Sequence, residues 1–97
     1  MPTYIMLANW TEQGMRAIED SPRRVDAARK ALEDMGGHFI SVYLTMGAID
    51  LVITYDAPDE AVAARFALLL GKLGNVRTTS LKAFPEQAYR QIIASLR

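Results

Sequence analysis

The chain has 97 residues, 51% hydrophobic and 23% charged, and its eleven Lys plus Arg balance eleven Asp plus Glu. This is the profile of a soluble globular domain with a modest core, and zero net charge argues against a protein that neutralises several nucleic-acid phosphates. The lack of cysteine excludes disulfides, thiolate catalysis and zinc–cysteine sites.

Thr3–Asn9 is short, apolar and rich in strand formers, and is expected to be a largely buried strand. Thr11 offers a helix cap, and the following "EQGMRAIED" is a short helix or turn weakened by Gly14. Ser21-Pro22 restarts the chain as cap and first helical residue. Val25, Ala28, Leu32 and Met35 then form one apolar stripe, and Gly36-Gly37 stops the helix. "HFISVYLT" and "IDLVITY" read as two strands of an antiparallel hairpin joined at Met46-Gly47-Ala48. Asp56 and Pro58 open a second helix whose inward stripe is Val62, Phe66, Leu69, Leu70 and Leu73, with Gly74 ending it. "VRTTSLKAF" is a fourth strand. Pro85 starts a C-terminal helix expected to pack through Tyr89, Ile92, Ile93 and Leu96.

The order β-α-β-β-α-β with a terminal helix predicts an α+β, ferredoxin-like fold over residues 1–97, one antiparallel sheet with helices on one face. Strand parity sets Ile5, Leu7, Ile40, Val42, Leu44, Leu51, Ile53 and Leu81 under the helices. The opposite set is Tyr4, Met6, Ala8, Phe39, Ser41, Tyr43, Thr45, Asp50, Val52, Thr54, Thr78 and Ser80. That mixture is too apolar for bulk water and too polar for an ordinary core, so a second copy of the chain or a ligand is expected to cover it. The expected partners are therefore self, as a homodimer or higher homo-oligomer, and a small-molecule ligand. No nucleic acid, membrane or cofactor is expected. The longest apolar run, Phe66–Leu70, is far short of the ~20 residues of a membrane span. Met1-Pro2-Thr3-Tyr4 lacks a basic leader, which makes the cytoplasm the expected compartment.

Three segments in this order, "YIMLANWTEQGMRAIEDSPRR", "YLTMGAIDLV" and "LGNVRTTSLKAF", resemble the GYD-domain proteins, a group of small bacterial proteins. The resemblance runs over nearly the whole chain. It implies a ferredoxin-like fold of the dimeric α/β-barrel type and brings no established activity. Gly47 and Asp50 match the glycine and aspartate of the family motif. Ile49 stands where the family tends to carry tyrosine, so no role of that phenol carries over.

Five residues are candidates for ligand binding: Tyr4, Trp10, Tyr43, Asp50 and Thr78. Asp50 could bind a cation or act as a base; equally, an aspartate beside a hairpin accepts turn amides. Trp10, next to Asn9, could stack on a planar ligand or cap a core or an oligomer contact. His38, the single histidine, is a weak metal signal without a Cys or His partner at ligand spacing. Arg77, Thr78, Thr79 and Ser80 could together bind an anion. Arg23 and Arg24 sit in the first turn of a helix, where the dipole disfavours cations, which hints at a paired carboxylate or anion. "GKLG" at 71–74 is similar to the short loop of RNA-binding KH domains but lacks its basic surround. Three functions fit: a small-molecule-binding oligomeric domain, a cofactor-free enzyme using Asp50, Tyr43 and His38, and a purely structural assembly module.

Overall fold

The computed structural model describes residues 1–96. The strands are β1 (Thr3–Trp10), β2 (His38–Leu44), β3 (Leu51–Asp56) and β4 (Val76–Ala83), and the helices are α1 (Glu12–Arg16), α2 (Ser21–Asp34), α3 (Glu60–Leu73) and α4 (Glu86–Ala94). A 3₁₀ turn, Ile18–Asp20, leads into α2. The sheet is antiparallel throughout in the order β2-β3-β1-β4, the expected ferredoxin-like arrangement. No helix among the described residues is long and apolar enough to cross a membrane.

Local chemistry accounts for the element ends. The Thr11 hydroxyl accepts the Gly14 amide at 3.1 Å and caps α1. Asp59 accepts the Val62 amide at 2.9 Å and caps α3 one residue beyond the expected Pro58. Gly74 closes α3 at φ 85°, a left-handed conformation glycine takes without a Cβ clash. The connection between β2 and β3 spans residues 45–50, longer than the tight turn expected, because pairing stops at Leu44↔Leu51.

The core lies between the sheet and helices α2 and α3. It is built on Tyr4, Met6, Leu32, Ile53, Tyr55, Ala63 and Phe66. Tyr4 stacks on Tyr55 with ring centroids 5.5 Å apart, and Phe66 meets Tyr55 edge-on at 5.4 Å. Burial raises the pKa of both phenols, further above physiological pH than a free tyrosine's.

Two expectations are corrected here. The first is the parity of β1 and β4 and of the start of β2. In an antiparallel pair, residues directly opposite share a face. The pairs Tyr4↔Tyr55, Met6↔Ile53 and Ala8↔Leu51 therefore turn the even residues of β1 inward with β3. Ile5 and Leu7 go to the open face instead. The same logic carries Thr78, Ser80 and Lys82 to the helix side through Ala8↔Thr78, Met6↔Ser80 and Tyr4↔Lys82, leaving Arg77, Thr79 and Leu81 open. On β2, the register shifts between Phe39 and Ser41, so Ile40 is the extra residue of a bulge. Phe39 joins the core before the bulge, and Val42 packs on it after the bulge. Both faces of β1 are apolar, so alternation within that strand could not choose between them.

The second correction concerns α4, which does not pack. Tyr89, Ile92, Ile93 and Leu96 are all exposed. The radius of gyration is 14.5 Å, against roughly 12.5 Å for a compact chain of this length. The chain is elongated, 52 × 31 × 18 Å. The part of the covered side nearest α4 in sequence, on β4, presents Thr78, Ser80 and Lys82, which offer little apolar surface to receive it.

Candidate functional site

The motif residues Gly47 and Asp50 lie in the β2–β3 loop. Gly47 has φ 133°, outside the range that residues with a Cβ adopt easily. The Asp50 carboxylate accepts the Trp10 backbone amide at 3.0 Å. The Asp50 amide donates to the Asn9 side-chain oxygen at 3.0 Å and to the Ala8 carbonyl at 3.2 Å. Thr45 closes the loop, its amide donating to the Asp50 carbonyl at 2.8 Å. Asp50 is thus a brace that fastens the hairpin end to the end of β1, where β1 runs on past Leu51, the first residue of β3.

A simple substitution separates bracing from acid–base work. Asp50→Ala is expected to cost about 1–2 kcal/mol, the penalty of stranding a part-buried amide donor. Asp50→Asn retains an acceptor oxygen and should lose less than half as much. Urea unfolding of both variants reads this directly. Equal losses for Asn and Ala would mean that the amide contact does not carry the role of Asp50.

The same end of the sheet carries a second set of bonds, made by the residues just after Trp10 and just before its β4 partner Val76. The Thr11 hydroxyl donates to the Gly74 carbonyl at 2.6 Å, and the Thr11 amide donates to the Asn75 carbonyl at 3.0 Å. Gln13 reaches the Leu73 carbonyl and the Asn75 side chain, both at 3.0 Å. Arg24 donates to the Gly14 and Ala17 carbonyls at 3.0 and 3.1 Å. Arg23 pairs with Asp20 at 3.0 Å. The two arginines at the start of α2 are therefore answered by carbonyls and one carboxylate.

The five candidate binding residues divide between the two sides of the sheet. Tyr43 stands on the open face and is exposed, opposite Val52. Asp50 sits at the sheet end. Tyr4 is buried in the helix-side core, with the Lys82 ammonium 5.7 Å from its ring centre. Neither the Tyr4 nor the Tyr55 hydroxyl has a hydrogen-bond partner of normal geometry among the described residues. Thr78 shares that side through its pairing with Ala8. Trp10 is half-buried and lies between an apolar cavity under α2 and α3 and a shallower groove against Val25 and Leu44. Arg77 and Thr79 point away from Thr78 and Ser80, so the four cannot converge on one anion. His38 lies at the start of β2, Nε2 3.5 Å from Asp56, whose other oxygen accepts the Thr3 hydroxyl at 2.8 Å.

Two features escaped the sequence reading. One is the open-face apolar group Ile5, Leu7, Val52 and Leu81, which only the register brings together. The other is the helix-side cavity. Its trace in the sequence is the run of alanines along α2 (Ala27, Ala28, Ala31), residues that cover a sheet without filling the space above it.

A family model described as "GYD domain" matches residues 4–93. A protein of Thermus thermophilus named "Glutamine synthetase and cystathionine beta-lyase binding protein" is 35% identical over 86 residues, a span covering 88% of this chain and 90% of the relative. No solved structure matches. With its motif glycine and aspartate holding the β2–β3 loop and its match extending over almost every element of the fold, this chain belongs to the GYD domain family.

Proposed function

We propose that the chain is a self-associating binding domain that docks onto other proteins through the open face of its sheet and the apolar side of α4. The observation that carries this reading is a pair of uncovered apolar surfaces in one small chain. One is the group Ile5, Leu7, Val52 and Leu81 with Tyr43 beside it; the other is Tyr89, Ile92, Ile93 and Leu96 on α4. Exposed apolar patches of this kind mark interaction sites in soluble proteins. The name of the Thermus relative points the same way, and it supplies two partners to try, glutamine synthetase and cystathionine beta-lyase. A small molecule enclosed between the open face and its cover, against Tyr43, is the finer form of this reading.

The α4 residues permit a test that leaves the body of the protein intact, because their side chains are largely solvent-exposed. The paired substitution Ile92→Glu and Ile93→Glu is expected to leave the circular dichroism of the sheet unchanged. It should reduce the sedimenting mass to that of one chain and weaken binding to both purified enzymes at least tenfold. A parent chain that sediments as a monomer at micromolar concentration, and that binds neither enzyme, would sink the reading.

A further inference from the structure

On the covered side of the sheet, α2 and α3 border an apolar cavity of about 140 Å³ that opens to solvent on one side. Its floor is Met6, Ala8 and Ile53, and its walls include Ala28 and Ala31 of α2 and Leu70 of α3. The space exists because α2 presents methyl groups where the facing helix presents leucines. A core of this length normally closes such a gap, since voids larger than a water molecule forfeit dispersion contacts.

The chemistry of the lining decides what can occupy it. A buried water needs two to four polar partners, and the interior side chains here are aliphatic or aromatic. Three polar residues also line it, Ser21, Arg24 and Asn75, and two of them are engaged: Arg24 with the Gly14 and Ala17 carbonyls, Asn75 with Gln13. A charged ligand would surrender its hydration among aliphatic and aromatic side chains, and Arg24, the one charged residue of the lining, is turned to the Gly14 and Ala17 carbonyls. Size narrows the choice further, because dry cavities of roughly 150 Å³ lined by Leu, Ile and Phe take up benzene.

We propose that this cavity is a binding site for one small, uncharged, apolar molecule about the size of a single aromatic ring, held between α2, α3 and the centre of the sheet. The site is on the opposite side of the sheet from the docking surface proposed above and does not depend on it. Loss of either property leaves the other standing.

The test uses the full chain with benzene as the probe and phenylacetate as its charged counterpart. Benzene near saturation should raise Tm by about 3–5 °C. It should also shift the methyl resonances of Met6, Ile53 and Leu70 with one-to-one stoichiometry. Phenylacetate should do neither. Ala28→Leu, or Ala31→Leu should the first fail to fold, fills the space and is expected to raise the benzene Kd at least tenfold. The proposal is overturned if benzene moves none of these methyl signals up to its solubility limit. It is equally overturned if phenylacetate binds as well as benzene, or if the cavity-filling variant binds benzene unchanged.

Discussion

Replacing Phe66 by alanine is expected to remove about 4 kcal/mol of folding stability. Phe66 is fully buried, and it is where the helix layer touches the aromatic part of the sheet. Its ring meets Tyr55 edge-on at 5.4 Å and Phe39 at 6.0 Å, both with interplanar angles of 70°. Truncation leaves a void that Ala63 and Leu32, already packed, cannot collapse to fill. A domain of this size has a total stability of about 5–15 kcal/mol, so the loss takes from about a quarter to most of it. Urea unfolding should show the midpoint falling at constant slope, while Phe66→Leu loses only about 1 kcal/mol. A loss below about 1 kcal/mol for the alanine variant would show that the aromatic cluster is not the core.

Gly14→Ala sets two effects of opposite sign against each other. Glycine within a helix is about 1 kcal/mol worse than alanine, so propensity alone predicts that the change stabilises α1. The tertiary contact predicts the reverse. A Cβ at residue 14 would lie 2.1 Å from the Asn75 carbonyl oxygen, a backbone atom that no rotamer change can move aside. That carbonyl is held by the Thr11 amide, so relieving the clash separates α1 from the α3–β4 connection and strains the neighbouring bonds from Thr11 and Gln13. The clash should prevail, with a net loss of about 2–3 kcal/mol. Hydrogen exchange distinguishes the cause: protection of the Thr11 amide should collapse, while amides at Met6 and Ile53 keep most of theirs. A variant as stable as the parent would mean the junction is loose enough to yield at no cost.

These two substitutions also show where sequence reading reaches and where it stops. Phe66 was legible: it falls in a helical stripe with Val62, Leu69, Leu70 and Leu73, and helical period alone turns it inward. Gly14 was not, because it reads as a weak helix residue until Asn75, far along the chain, is brought against it. The Asp50 brace falls between the two. An aspartate at a hairpin signals amide acceptance, but that the amide belongs to Trp10 depends on β1 outrunning β3.

The chain by itself determined the order and kind of its elements, the caps at Thr11 and Gly74, and the α+β ferredoxin-like class, because these follow from local propensity and from periods of 3.6 and 2. Tertiary structure alone decided which face of β1 is buried. Tyr4, Met6 and Ala8 are no more apolar than Ile5 and Leu7, and only pairing with Tyr55, Ile53 and Leu51 settles the matter. That one choice carried Tyr4 and Thr78 to the helix side, Leu7 and Leu81 to the open one, and the bulge at Ile40 let Phe39 follow the core. Side-chain alternation has a period of two, so a strand with two apolar faces holds no record of its own orientation; its neighbours supply it.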